Sequence, residues 1–386
     1  MTVEGNMNEQ AQSIIRPLEP RPVAPRKTKQ LLDLLERHRG ERHIVALQDF
    51  PDPDAISSAW AHQFICEPFH ITVDLFYEGT ISHQENQALV RLLDIELQKF
   101  DEGVELSRYQ AGVFIDNQGT TTKLTERLKR AGVKPLIIVD QHEKQRVLDA
   151  EFTDIRKVGA TATIYTEYLK EGALTLDKLN RAHVKLATAL MHGVRSDTGD
   201  LVRATEEDFL AAAYLSRWAD TALLSEILSV KRSKRVMDVI EAALAHRLIR
   251  ENYSLAGVGY LRAEERDAIP QAADFLLTEE NVHTAVVYGV LRDGDKEMIV
   301  GSLRTSKVTL NPDDFIKDVF GRDEQGEYYG GGKQDAGGFE IPIGFLAGSQ
   351  SDEDYTKLKW KIYDAQIKRK LLTKIGLPHE EESAEE

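Results

Sequence analysis

Short apolar runs that break off at an aspartate recur along this chain, and they restrict its folding more than any other feature. Asp49, Asp52 and Asp54 follow His43-Ile-Val-Ala-Leu47, Asp116 follows Gly112-Val-Phe-Ile115, Asp140 follows Pro135-Leu-Ile-Ile-Val139, and Asp197 follows Met191-His-Gly-Val-Arg-Ser196. Three of the runs read as short buried strands. Strands of a parallel sheet all point one way, so acids placed just past their ends gather at one carboxyl edge. Carboxylates crowded there repel one another unless cations sit between them. The pattern therefore points to a divalent-metal site suited to phosphate chemistry.

The intervals between the runs supply the rest of the architecture. Strands at 43–47, 70–77, 112–115 and 135–139 alternate with helices from about 54, over 84–98, over 120–131 and from 160 onward. Such repetition predicts a mainly parallel sheet covered by helices on both faces. Before it, Leu31, Leu32, Leu34 and Leu35 lie near one helical face of a segment that Gly40 stops. Residues 1–26, punctuated by Pro17, Pro20, Pro22 and Pro25, read as a flexible leader, and 27–204 as the parallel-sheet domain. A helical connector at 205–251 leads to a smaller α/β domain at 252–350, and 351–386 read as a C-terminal helix and acidic tail. In the smaller domain, strands at 282–288 and 297–303 pair around the turn 292–296, and the glycine-rich stretch 328–338 enters a strand at 339–343. The fold class expected is α/β, with two lobes around a cleft that close through the connector.

Composition narrows the function. The formal net charge of −15 argues against gripping long nucleic acid, which depends on phosphate neutralisation by Lys and Arg, so any nucleotide partner is expected to be short. No apolar run approaches the roughly 20 residues of a membrane helix. The opening MTVEGNMNEQ lacks the basic-then-apolar order of a secretion signal, so a cytoplasmic location without membrane attachment is expected. The single cysteine, Cys66, excludes an intramolecular disulfide and a cysteine-based zinc cluster, and it reads as a buried small residue.

Each motif has a plain reading beside the chemical one. Three aspartates in Asp49–Asp54 suit a turn and a helix N-cap. A cap needs one carboxylate, however, and the acids recur at Asp116 and Asp140, while small Ala55, Ser57 and Ser58 would let a ligand approach the helix start. His142, one residue past Asp140-Gln141, stands beyond a strand end as a metal ligand, a phosphate donor or a partner behind one. Arg195, beside Asp197, is a phosphate-contact candidate in what reads otherwise as an ordinary loop. Gly330, Gly331 and Gly332 would let backbone N–H groups converge on an anion, with Lys333 adding charge and Arg304 able to fork onto phosphate; the plain reading is a hairpin turn. The spacing is not that of a P-loop. Lys231–Arg235 reads as a solvated helix face.

In order, Asp52-Pro-Asp-Ala55, Ile115-Asp116, Val139-Asp-Gln-His142, Arg195-Ser-Asp-Thr198 and Gly330-Gly-Gly-Lys-Gln-Asp-Ala-Gly-Gly-Phe339 resemble the DHH phosphoesterase family with its associated C-terminal domain. Ser82-His-Gln-Glu-Asn86 and Gly159-Ala-Thr-Ala-Thr163 also fit its nanoRNase and cyclic-dinucleotide phosphodiesterase members. The resemblance implies two divalent ions, Mn²⁺ or Mg²⁺, bridged by Asp116 and activating water against a phosphodiester. It implies metal ligation at Gln48, Asp52, Asp54, Asp116, Gln141 and Asp197, and catalytic roles for Asp140 and His142. Arg195, Arg304, Gly330, Gly331, Gly332 and Lys333 would hold substrate phosphate. Gln48 and Gln141 replace the family's usual imidazoles, so the triplet reads DQH, and Lys333 replaces a third histidine. An amide oxygen is a weaker donor than imidazole for Mn²⁺, which shifts the expectation toward Mg²⁺ or lower affinity. The expected activity is hydrolysis of short or cyclic dinucleotides such as cyclic di-AMP, pApA or nanoRNA. The alternative is a nucleotide-sensing or partner-binding member with weakened or lost hydrolysis. A RecJ-like exonuclease on long strands is disfavoured by the acidic balance, and the resemblance allows a homodimer.

Overall fold

The leucine stripe after residue 26 folds into α1 (Lys27–Arg37), which buries Leu31, Leu34 and Leu35. The chain then turns at Gly40, whose φ of +82° suits a residue without a Cβ. In this computed structural model the described residues are 27–377, apart from 82, 146–147, 295, 333–334, 345–346 and 348–352. The expected leader and acidic tail thus lie outside the described residues, as does Lys333. The chain divides into two compact units, one of residues up to 81 and 85–230, the other of residues 82–84 and those from 231 onward.

In the first unit β1 (Arg42–Ala46), α2 (Pro53–Cys66), β2 (Thr72–Tyr77), α3 (Gln84–Leu93), β3 (Leu97–Lys99), β4 (Ala111–Ile115), α4 (Leu124–Arg130), β5 (Lys134–Asp140) and β6 (Phe152–Ile155) follow one another. Helices α5 (Thr161–Lys170), α6 (Arg181–Asp197), α7 (Glu206–Leu215) and α8 (Thr221–Leu228) complete it. The sheet order is β3-β2-β1-β4-β5-β6, and every neighbouring pair is parallel. Alternation along the strands fills two cores: Val45, Val113, Ile137 and Val139 face α2, α5 and α6, while Ile44, Phe114 and Ile138 face α4. A fully buried side chain of this size contributes about 1.5–3 kcal/mol, so these two layers outweigh the exposed ion pairs in fixing the sheet. Cys66 is buried in the first of them, as expected.

Two short strands depart from the expected pattern. The helix expected over 84–98 stops at Leu93, Asp94 adopts φ +57°, and Leu97–Lys99 pairs as an edge strand on β2. The other edge strand, β6, had no counterpart in the sequence reading and pairs with β5.

In the second unit the elements are α9 (Lys234–His246), β7 (Arg247–Arg250), β8 (Tyr253–Arg262), α10 (Ala268–Leu276), β9 (Thr284–Asp293), β10 (Lys296–Thr305), α11 (Pro312–Phe320), β11 (Gly330–Gly332), β12 (Ala336–Pro342) and α12 (Glu353–Lys374). Its sheet order is β11-β12-β10-β9-β8-β7. The β9–β10 hairpin closes at Asp293 and Lys296, as expected, whereas β8 and β9 run parallel. The segment 205–250, read as almost wholly helical, contributes α7 and α8 to the first unit and α9 to the second. Its last residues form β7 because their backbone pairs antiparallel with β8. Among the described residues no helix is long and apolar enough to cross a membrane.

Candidate metal centre

The strand order of the first sheet reverses between β1 and β4, and in open parallel sheets the crevice at such a switch point receives ligands beyond the carboxyl ends of the strands. Four elements place acids there. Asp52 caps α2: its side chain accepts from the Ala55 N–H at 2.9 Å, so part of the turn-and-cap reading is met. Asp54, one residue into that helix, is fully buried. Its two oxygens accept from the backbone N–H groups of Thr161 and Ala162, each at 2.7 Å, which tie it to the start of α5. Asp116 follows β4 with φ +57°, a left-handed conformation that aspartate tolerates better than most residues.

Asp140 ends β5. Its Oδ1 lies 2.8 Å from His142 Nδ1, and its Oδ2 accepts from Gln118 Nε2 at 2.7 Å. Asp197 stands at the C-terminus of α6, a seventeen-residue helix where the sequence suggested a loop. Potential ligand atoms of Asp54, Asp116 and Asp197 lie within 4.8 Å of one another, and so do those of Asp116, Asp140 and His142. Asp116 belongs to both groups.

The electrostatics describe a charge deficit. Burial, then the charge of Asp52, pushes Asp54 up to about 7 despite the hydrogen bonds from Ala162, Thr161 and Ser58. Burial also raises Asp116 well above the ordinary carboxylate range, reinforced by Asp54, Asp52, Asp197 and Asp140. For Asp140 burial acts upward, but hydrogen bonds and charge from His142, with Gln118, leave it lower than usual. Asp116 Oδ2 is buried and has no hydrogen-bond partner among the described residues, while its Oδ1 accepts from the Thr161 hydroxyl at 2.9 Å. A buried carboxylate oxygen without a donor, amid four other carboxylates, fits a divalent cation and its hard oxygen donors.

The remaining candidates divide. Gln48 Nε2 donates to Asp52 Oδ2 at 3.1 Å, and Gln141 Nε2 to Asp197 Oδ2 at 3.3 Å, so both amides border the cluster with an N–H on a carboxylate. Asp49 instead accepts from the Lys123 backbone N–H at 3.1 Å, at the start of α4. Arg195 pairs with Asp200 at 2.8 Å. In the second unit Arg304 donates to Asp274 at 2.7 Å and to Ser302 at 2.8 Å. Gly330, Gly331 and Gly332 form strand β11 against β12 in place of a bare turn. The Gly332 N–H donates to Asp313 at 3.1 Å, and a Cβ on Gly330 would meet the Gly338 carbonyl oxygen at 2.2 Å, so packing alone requires glycine there. Sequence reasoning gave no role to Thr161 or Gln118. Thr161 lies in the quoted Gly159–Thr163 segment, which was the available signal; nothing in the sequence marks Gln118.

No protein-family model matches the chain. The uncharacterized protein MJ1633 of Methanocaldococcus jannaschii is 36% identical over 353 residues, spanning 91% of this chain and 67% of that protein. The crystal structure of an exopolyphosphatase-related protein from Bacteroides fragilis superposes with a TM-score of 0.65 at 14% identity, covering 91% of this chain and 100% of that one, which shows a shared fold. RecJ in complex with Mn²⁺ from Thermus thermophilus matches at a TM-score of 0.46 and 13% identity, over 90% of this chain and 56% of that chain. That last likeness is too loose to add to the fold assignment.

Proposed function

We propose that this chain, which belongs to the same family as MJ1633 of Methanocaldococcus jannaschii, is a DHH-type, divalent-metal-dependent phosphodiesterase acting on short or cyclic dinucleotides. The observation that carries the reading is the pair of ligand groups joined at Asp116, whose second carboxylate oxygen is buried without a donor. Asp52, Asp54, Asp116 and Asp197, with His142 on the Asp140 side, would hold two ions, Mn²⁺ or Mg²⁺. Such ions supply Lewis-acid stabilisation of phosphoryl oxygens and lower the pKa of water.

The chain's own groups do the rest. Thr161 and Gln118 orient Asp116 and Asp140 through the hydrogen bonds described above. His142 Nδ1 lies 2.8 Å from Asp140 Oδ1 and 3.7 Å from Asp116 Oδ1, and its Nε2 lies 3.2 Å from Gln141 Nε2. Arg195, Arg304, the strand Gly330–Gly332 and Lys333 are assigned to substrate phosphate, with Lys333 lying outside the described residues. A cytoplasmic location and a nucleotide substrate belong to the same proposal.

Release of mononucleotide from cyclic di-AMP, pApA and a nanoRNA, measured with Mn²⁺ and with Mg²⁺, tests it. Turnover in at least one metal, abolished in Asp116→Ala, is expected; no turnover with either metal rejects it. The two amides favour a second reading, nucleotide sensing without efficient hydrolysis, because each presents an N–H to a neighbouring carboxylate. A parent protein that binds nucleotide but gains hydrolysis only after Gln48→His and Gln141→His would establish that reading instead.

A further inference from the structure

Away from the acid cluster, at the opposite, amino-terminal end of β1, His38, Glu41 and His43 bring one ligand atom each within 4.8 Å of the others. The local backbone explains how. His38 follows the last turn of α1, the Glu41 N–H returns to the His38 carbonyl at 3.2 Å, and Gly40 makes the reversal with its positive φ. His43 then enters β1 with its ring fully buried. Three donors from a six-residue segment, His38-Arg-Gly-Glu-Arg-His43, form a chelating loop that needs no distant partner.

The distances have the dimensions of a coordination shell. Glu41 Oε2 stands 2.8 Å from His38 Nδ1 and 3.2 Å from His43 Nε2. Ligands at about 2.0–2.1 Å from a tetrahedral zinc ion are roughly 3.3 Å apart, so a small outward adjustment of the three would admit one. Without an ion, a single carboxylate oxygen has to accept an N–H from both rings.

Two further observations point the same way. Metal-bound histidines usually direct the second ring nitrogen at a carboxylate, and His38 Nε2 lies 3.8 Å from Glu151 Oε2, in a carboxylate that Arg37 holds from its other oxygen. Burial, opposed by Glu41, lowers the His43 pKa and favours the neutral ring, the form that ligates metal.

We propose that His38, Glu41 and His43 form a second metal site, specific for a zinc-like divalent cation and separate from the acid centre, that clamps the end of α1 to the start of β1. Two imidazoles and one carboxylate suit such a borderline ion better than Mg²⁺ or Ca²⁺. The site does not depend on the phosphodiesterase reading.

Zinc titration by calorimetry on the metal-stripped full chain tests it in an Asp116→Asn background, which disables the acid centre as a competing zinc site. Three proteins are compared: Asp116→Asn alone, with His38→Ala, and with Glu41→Gln. Both added changes sit at partly exposed positions, which leaves the core intact, and circular dichroism verifies folding. The expected result is one zinc equivalent bound by the first protein and weakened at least tenfold in the other two. Zinc is also expected to raise the melting temperature of the first and leave that of the His38→Ala protein unmoved. Equal zinc affinity in all three, or no zinc binding in the first, overturns the proposal.

Discussion

Asp116 carries the most constraint of any residue in the first unit: a left-handed backbone, a buried side chain and membership of both ligand groups. Asp116→Asn keeps the shape and removes the charge, so hydrolysis is expected to fall by at least about a hundredfold, in the range seen when a group central to proton transfer or charge stabilisation is removed. Gln118 and Thr161 act one step back. Gln118→Leu removes the donor to Asp140 Oδ2 and is expected to weaken Mn²⁺ binding by about 10–100-fold, read by isothermal titration, because groups behind metal ligands have effects of that size. Unchanged affinity would remove Gln118 from the centre. Gln48→His and Gln141→His are expected to raise Mn²⁺ affinity relative to Mg²⁺, since imidazole discriminates between these ions more than an amide oxygen does. The acids were legible in the sequence because each follows an apolar run. Thr161 was not legible as a site residue: a common residue type acquires its role only through contact with Asp116, 45 positions away.

At the scale of elements, the central strands were readable and the edges were not. β4 and β5 are nearly continuous apolar runs because both of their faces are covered. β3, by contrast, is Leu97-Gln-Lys99 with two exposed residues, and what makes it a strand is the backbone of β2 beside it. β11 is three glycines, and a turn was the natural reading of such a stretch. Its strand character comes from β12, and Gly330→Ala would drive a Cβ against the Gly338 carbonyl. The chain would have to shift, and a loss of about 1–3 kcal/mol is expected in urea denaturation of the purified protein. A loss below about 0.5 kcal/mol would show that β11 yields easily and does not need glycine there. At α2 the cap is as informative: Asp52→Ala removes the bond to the Ala55 N–H, expected to lower stability by about 1 kcal/mol in addition to its effect on metal binding.

For the whole molecule, the two-unit α/β organisation followed from alternation in the sequence, whereas the assignment of α7 and α8 to the first unit did not, because helical periodicity says nothing about which sheet a helix covers. The crowding of carboxylates should be visible as a global property. Asp54 is raised from 3.8 to about 7, so its neutral form is the one the fold prefers, and the associated stability is full below the unfolded carboxylate pKa and lost as pH rises through about 7. Metal-free protein is therefore expected to lose on the order of a few kcal/mol between about pH 4 and about pH 7, with Asp116 acting in the same direction. Saturating Mn²⁺ should flatten that slope. A metal-free melting temperature that rises over the same range would contradict the charge deficit. The most direct test of the metal centre itself is the metal content of the chain after equilibration with Mn²⁺ and removal of free ion, compared with Asp116→Asn. Two bound ions are expected in the parent, and loss of both in the variant, because Asp116 belongs to both ligand groups. A parent that retains none, or a variant that retains as many as the parent, would contradict this.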